Sequence, residues 1–211
     1  MEKLSIFKNI SKEDINKMLK CFEAKTKNIK KGDIILNYIG NYGLIGIIEE
    51  GEASLFRYDD RGNKTLIEKL SKDSIFGERF YNFNTDEMVV EATKDTEVIF
   101  LNYSHLINNC KNNCPCHEKL IQNLIEILTN KIIISNEKAE ILTKKTIRDK
   151  LLTYFQINSK RAMSKTFMIP YTYTDLADYL GIDRAAMQRE LKNLKEDGLI
   201  KTKNRRITIY Y

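Results

Sequence analysis

Tryptophan is absent from this chain, and proline and histidine occur only twice each. With His105 and His117 as the only imidazoles, and neither in a recognisable catalytic setting, acid–base catalysis by histidine has little to work with. The sequence also lacks a glycine-rich phosphate loop, a G-x-S-x-G elbow and an H-E-x-x-H pair. The expectation is therefore a protein that is not an enzyme. Four cysteines in 211 residues do not make a disulfide scaffold, and a reducing compartment would keep them as thiols. No run approaches the roughly 18 apolar residues of a membrane span, and Met1-Glu2-Lys3-Leu4-Ser5 is not a secretory h-region. A cytoplasmic location with no membrane partner follows as the expectation. What is present is ordinary for a globular protein, 42% hydrophobic and 30% charged residues, and the length suffices for one large or two small domains.

The net charge of +6 is unevenly spread. From Thr143 to Tyr211 there are 15 lysines and arginines against 7 carboxylates, a net +8. Residues 1–142 carry 20 basic against 22 acidic side chains, a net −2. A basic third on a near-neutral body is the footprint of a module that meets a polyanion. Charge alone also fits a solvated basic surface.

Residues from about Asn28 to Leu101 read as short strands between turn signals. Lys31-Gly32-Asp33 precedes Ile34-Ile35-Leu36, Gly51 precedes Ala53-Ser54-Leu55-Phe56, and Asp59-Asp60-Arg61-Gly62-Asn63 separates that strand from Thr65-Leu66-Ile67 as a hairpin turn. Ser74-Ile75-Phe76 and Glu97-Val98-Ile99-Phe100-Leu101 are further runs, and the close spacing predicts a barrel or jelly roll. Upstream, Ser11 fits an N-cap before a helix with Ile15, Met18, Leu19 and Phe22 on one face, where Cys21 also reads as core.

Pro115 then opens one long predicted helix to about Leu142, its position suited to a first turn. Ile121, Leu124 and Leu128 recur at three and four, and Ile132, Ser135, Ala139 and Leu142 continue after a four-residue step, a dimer seam with one stutter. A helix about 40 Å long outruns a small domain's core, so a second copy of the chain is the expected partner.

A helix is predicted at about Thr146–Gln156, with Ile147, Leu151, Leu152 and Phe155 inward. Thr172 caps a short helix whose Leu176, Ala177 and Leu180 face inward, and Gly181 ends it in a turn. Asp183 caps the next helix, which buries Met187, Leu191 and Leu194 and turns Arg184, Gln188, Arg189, Lys192 and Lys195 elsewhere. This is a helix-turn-helix with a basic outer face. Ile200 leads into the basic loop Lys201-Thr202-Lys203-Asn204-Arg205-Arg206 and then Ile207-Thr208-Ile209, a wing hairpin.

In two places the sequence resembles the cAMP receptor protein/FNR (Crp/Fnr) family of regulators. Lys31-Gly32-Asp33, Gly51-Glu52, Asp60-Arg61-Gly62-Asn63-Lys64 and Phe76-Gly77-Glu78 look like that family's β-roll punctuation. Thr174 to Arg184 and Leu191 to Ile200 look like its helix-turn-helix. The resemblance implies an α+β chain with three parts. These are a β-roll sensor over 1–110 (a double-stranded β-helix or jelly roll, cyclic-nucleotide-binding-like), a dimerisation helix over 111–143 and a winged helix-turn-helix over 144–211. It implies a homodimer on a near-palindromic operator in double-stranded DNA, with RNA polymerase as a further partner.

Within that resemblance Arg184, Ala185, Gln188 and Arg189 match the base-facing positions of the recognition helix. Thr172, Tyr173, Thr174, Lys192, Lys203 and Arg205 are candidates for phosphate contacts. Where the cAMP receptor protein has a base-reading Glu, Ala185 offers only a methyl, so a different operator is expected. Ile121, Leu124, Leu128 and Ile132 are the expected dimer interface.

For an effector pocket the resemblance points to Gly77, Glu78 and Arg79, but Asp86-Glu87 fall where cyclic-nucleotide binders place Arg-Ser. Two carboxylates facing a phosphodiester leave its charge unpaired, so the reading is against cAMP. Cys110, Cys114, Cys116 and His117 fall within eight residues and could hold a metal or act as redox thiols, with His105 as an alternative ligand. They could equally be thiols that happen to fall at a helix start. An FNR-type iron–sulfur cluster needs four thiolates, typically three of them near the N-terminus, where only Cys21 is found. The competing class is a metal or thiol-redox sensor whose helix-turn-helix serves ligand-dependent protein interaction. The basic face of Arg184, Arg189 and Lys192 argues for DNA instead.

Overall fold

The computed structural model describes residues 4–38, 43–77, 87–107 and 115–211. They form two compact units, one ending at residue 128 and the other beginning at 129, and the longest helix contributes to both.

Among the described residues the first unit is built on eight antiparallel strands: β1 (Lys25–Ile29), β2 (Ile34–Asn37), β3 (Leu44–Glu50), β4 (Glu52–Tyr58), β5 (Lys64–Ser71), β6 (Ile75–Gly77), β7 (Glu87–Ala92) and β8 (Thr96–Asn102). They pair in two four-stranded sheets of order β1-β8-β3-β6 and β2-β7-β4-β5, the β-roll expected from the sequence. The side-chain alternation in β8 shows how one sheet serves two cores. Val98 and Phe100 join Leu55, Val90 and Met88 between the sheets, whereas Ile99 and Leu101 join a second cluster with Leu4, Phe7, Met18 and Phe22. A strand buried on both faces has no polar alternation, which is why Val98 to Leu101 is an unbroken apolar run. At Gly46 in β3 an added Cβ would lie 2.2 Å from the Phe76 ring, so the absence of a side chain there makes the room Phe76 fills.

The Ser11 cap is present, its hydroxyl accepting from the Asp14 amide ahead of α1 (Lys12–Cys21). Ile15, Met18 and Phe22 are buried as expected, but Cys21 is exposed, not part of the core. The stripe has its own edge, and Cys21 lies beyond it. After the short α2 (Tyr103–Ile107), α3 runs from Pro115 to Thr143. Its Leu120 and Leu124 are sealed in the core shared with Phe7 and Phe22. Asn123, also buried, donates from Nδ2 to the carbonyls of Ile6 (2.9 Å) and Lys8 (2.8 Å), fixing the N-terminal segment to the helix.

The second unit takes the last turns of α3, then α4 (Ile147–Arg161), β9 (Thr166–Met168), α5 (Tyr173–Leu180), α6 (Arg184–Glu196), β10 (Ile200–Lys203) and β11 (Arg206–Ile209). Its core collects Ile141, Leu151, Phe155, Leu176, Leu180, Met187, Leu191, Leu194 and Ile207. The α4 helix runs five residues beyond its expected end at Gln156, its last turns carrying Ile157 against the core.

Candidate nucleic-acid interface

The two helices of the reader are set by caps legible in the sequence. Thr172 Oγ1 accepts from the Asp175 amide at 3.1 Å and donates to the Asp175 carboxylate at 2.9 Å. Asp183 Oδ1 accepts from the Ala186 amide at 2.8 Å. Between them Gly181 takes a left-handed φ of 59°, which turns the chain from α5 into α6. With Met187, Leu191 and Leu194 buried, helical geometry carries Arg184, Ala185, Gln188, Arg189 and Lys192 outward on one exposed face. Among the described residues no carboxylate pairs with Arg184 or Arg189, so both guanidinium forks are available to an external acceptor. Lys192 lies 3.6 Å from Glu196 in an exposed pair that a stronger anion can displace.

The back of α6 is held from α4. Arg148 donates to Glu190 at 3.2 Å and also pairs with Asp197, the residue that caps the end of α6. The Asp197 and Glu190 carboxylates hold the Arg148 charge above its ordinary range. Lys150 Nζ donates to the Leu180 carbonyl at the end of α5 (3.1 Å), where a cation meets the negative end of the helix dipole. Neither role shows in a sequence pattern, because each joins residues 30 or more positions apart.

The wing is shorter than the sequence suggests. Lys201, Thr202 and Lys203 belong to β10 and Arg206 to β11, leaving Asn204 and Arg205 as the turn, with Asn204 left-handed at φ 54°. Lys203 and Arg205 are exposed at its tip. Of the N-terminal positions of α5, Thr172 and Thr174 are exposed. Tyr173 is half-buried, its hydroxyl donating to the Asn204 carbonyl at 2.8 Å.

The expected dimer seam needs one correction. Leu124 is 9% exposed and faces its own core, whereas Ile125 beside it is 58% exposed. Ile121 and Leu128 are half-buried against that core, and Ile132 is 60% exposed. Tracing the face through Ile125 gives Ile121, Ile125, Leu128, Ile132, Ser135, Ala139 and Leu142, which alternate by four and three without a stutter. Strict 3–4 spacing could have found Ile125. The sequence also offered Leu124, and an apolar pattern does not say which of two adjacent residues the chain keeps for itself.

Of the expected effector residues, Gly77 ends β6 and its amide donates to the Tyr38 hydroxyl at 3.2 Å. An added Cβ there would meet the Leu44 carbonyl at 2.5 Å, and φ is 152°, so glycine is required by the backbone itself. Glu78, Arg79 and Asp86 lie outside the described residues. Glu87 opens β7 and accepts from Asn37 Nδ2 at 2.7 Å. Cys110 and Cys114 also lie outside them. Cys116 is disulfide-bonded, unlike the thiol expected. His117 is buried, its Nε2 donating to the Leu106 carbonyl at 2.8 Å and its ring edge-on to Phe22. This fixes the tautomer and leaves only Nδ1 to ligate. No group of three or more candidate ligands occurs among the described residues, which include only Cys116 and His117 of the expected cluster.

Comparison with known proteins agrees with this geometry. Residues 149–210 match the Crp-like helix-turn-helix domain. The transcriptional activator protein FnrL of Cereibacter sphaeroides is 29% identical over 97 residues, 42% of this chain and 39% of that protein. Electron transport regulator A of Shewanella oneidensis is 20% identical over 190 residues, covering 88% of this chain and 74% of that one. The solved structure of OCPA-complexed CprK superposes with a TM-score of 0.70 at 16% identity, covering 94% of this chain and 92% of its own. The β-roll, the long helix and the winged reader thus recur together in one fold, and residues 149–210 carry a Crp-like helix-turn-helix domain.

Proposed function

We propose that the protein regulates transcription as a homodimer on a near-palindromic operator. The observation that carries this reading is the exposure of Arg184 and Arg189, neither held by a carboxylate among the described residues, on a helix whose opposite face is locked into a core. An arginine fork can donate to both O6 and N7 of a guanine, worth about 1–3 kcal/mol of discrimination. Ala185 offers a methyl, suited to a thymine. Two such helices related by a twofold reach successive major grooves, with half-sites about 10–11 bp apart.

The second copy is recruited through α3. Ile125 and Ile132 occupy the a positions of its heptads and Leu128 and Leu142 the d positions, a distribution that favours two strands. RNA polymerase is the further partner that the family likeness supports. The signal enters at the β-roll or at the Cys116 region, with cAMP disfavoured by the carboxylates at Asp86 and Glu87. The setting is the cytoplasm, in keeping with helices that are none of them long and apolar enough to cross a membrane among the described residues.

Selection of bound duplexes from random DNA tests the reading. A dyad-symmetric consensus is expected, with affinity falling steeply as salt rises because each neutralised phosphate releases counterions. Recovery of no symmetric sequence, from protein that stays monomeric, would overturn it.

A further inference from the structure

The side chain of Tyr173 leads off the first turn of α5, next to two exposed threonines, where a residue is expected to touch the DNA backbone. Its hydroxyl is already committed. The single hydrogen goes to the Asn204 carbonyl at 2.8 Å. Phosphate oxygens only accept, so a hydroxyl that has spent its hydrogen has nothing to offer one.

The wing has reason to need such a tether. Its four-residue strands are anchored, β11 by pairing with β9 and both by Ile200, Ile207 and Ile209 in the core, but the turn at Asn204 and Arg205 extends beyond that pairing. On the β9 side the Arg205 carbonyl accepts from the Ile169 amide at 2.9 Å. The neighbouring Asn204 carbonyl is held from α5, by Tyr173. The two turn carbonyls are thereby each held from a separate segment, and the charges of Lys203 and Arg205 are carried on the strand end and turn that these contacts fix.

We propose that Tyr173 is the positioning residue of the wing, holding Lys203 and Arg205 at a fixed offset from the N-terminus of α5 so that both basic groups meet the phosphate backbone together. This rests on the DNA-binding reading above. Because the acceptor is a backbone carbonyl, changing the side chain of Asn204 leaves the tether in place, whereas Tyr173→Phe removes it with the ring retained.

The test is made on the full-length protein. Hydrogen exchange of residues 201–206 should quicken in Tyr173→Phe while α6 stays protected. On the selected operator, the variant should bind about 2- to 10-fold more weakly, the worth of one hydrogen bond. Its salt dependence should fall toward that of Lys203→Ala/Arg205→Ala, by about 0.9 in slope for each phosphate no longer neutralised. In that double variant, adding Tyr173→Phe should change affinity less than about 2-fold, since coupled residues do not add. Unchanged exchange, or weaker binding at an unchanged slope that adds fully to the double variant, would overturn the proposal and make Tyr173 a direct contact. Wild-type protein that ignores duplexes would remove this role together with the DNA-binding reading. The exchange measurement, which uses no DNA, tells that outcome from loss of the tether.

Discussion

Leu124 and Ile125 are neighbours on α3 that turn opposite ways, Leu124 into the core beside Phe7 and Phe22 and Ile125 to the surface. One stabilises the subunit and the other is free to meet a second subunit. Leu124→Ala should therefore lower the unfolding free energy by about 2–5 kcal/mol, the range for a buried leucine, measured by denaturant unfolding. Ile125→Asp should leave the fold intact and convert dimer to monomer in sedimentation, with operator affinity down at least about tenfold, or about 1.4 kcal/mol. Dimers that survive Ile125→Asp combined with Ile132→Asp would show that the seam lies elsewhere.

Asn123 carries a second prediction. It is a buried amide that donates to two backbone carbonyls, of Ile6 and Lys8, in the segment that packs Leu4, Ile6 and Phe7 into the core. Asn123→Leu keeps the branching of the side chain and removes both donors. A cost of about 1–3 kcal/mol follows from stranding the acceptors. Calorimetry should show a lower Tm, and exchange should quicken in residues 4–10 before it does in β8. An unchanged Tm would mean that water replaces the amide.

How much of this was legible in the sequence depends on the range of the interaction. The caps Ser11, Thr172 and Asp183 and the left-handed Gly181 are local, each acting within three or four residues, and they could be read directly. The strands β1, β3 and β7 were harder. Lys25-Thr26-Lys27-Asn28 is exposed on an edge with no apolar alternation, and its pairing with β8 joins positions some 70 residues apart. The basic face of α6 followed from helical periodicity. Arg148, Lys150 and Tyr173, which set that face and the wing in place, act through contacts between distant elements and leave no periodic trace.

The tyrosines of the second unit predict behaviour at high pH. Burial pushes the Tyr179 phenol up to about 12, with Tyr171 beside it adding to the rise, and burial also pushes Tyr211 to about 12. Burial raises Tyr154 further still. A phenol whose folded pKa lies above its unfolded value near 10 favours the folded state while protonated. That contribution is fully present below pH 10 and is lost as the pH rises from about 10 through 12. Stability should therefore fall across that window, with these three of the 11 tyrosines absent from the ultraviolet phenolate titration until the second unit unfolds. Ionisation of all 11 near pH 10 with the fold retained would contradict the burial of these rings.

Arg184 and Lys192 both point outward from α6 but should fail in different ways. A guanidinium can take two acceptors on one base in a fixed plane, whereas an ammonium is a compact charge suited to any phosphate oxygen. Arg184→Ala should relax the operator preference at a single position per half-site, by about 1–3 kcal/mol, with little change in binding to random duplex. Lys192→Ala should weaken operator and random duplex alike and lower the salt slope by about 0.9, the share of one neutralised phosphate. Arg184→Lys separates charge from geometry, because it keeps the cation and loses the planar fork. It should behave like the alanine variant in sequence preference and like wild type in salt dependence. If Arg184→Lys kept full sequence preference, Arg184 would be a phosphate contact, and reading of the base would fall to Gln188 and Arg189.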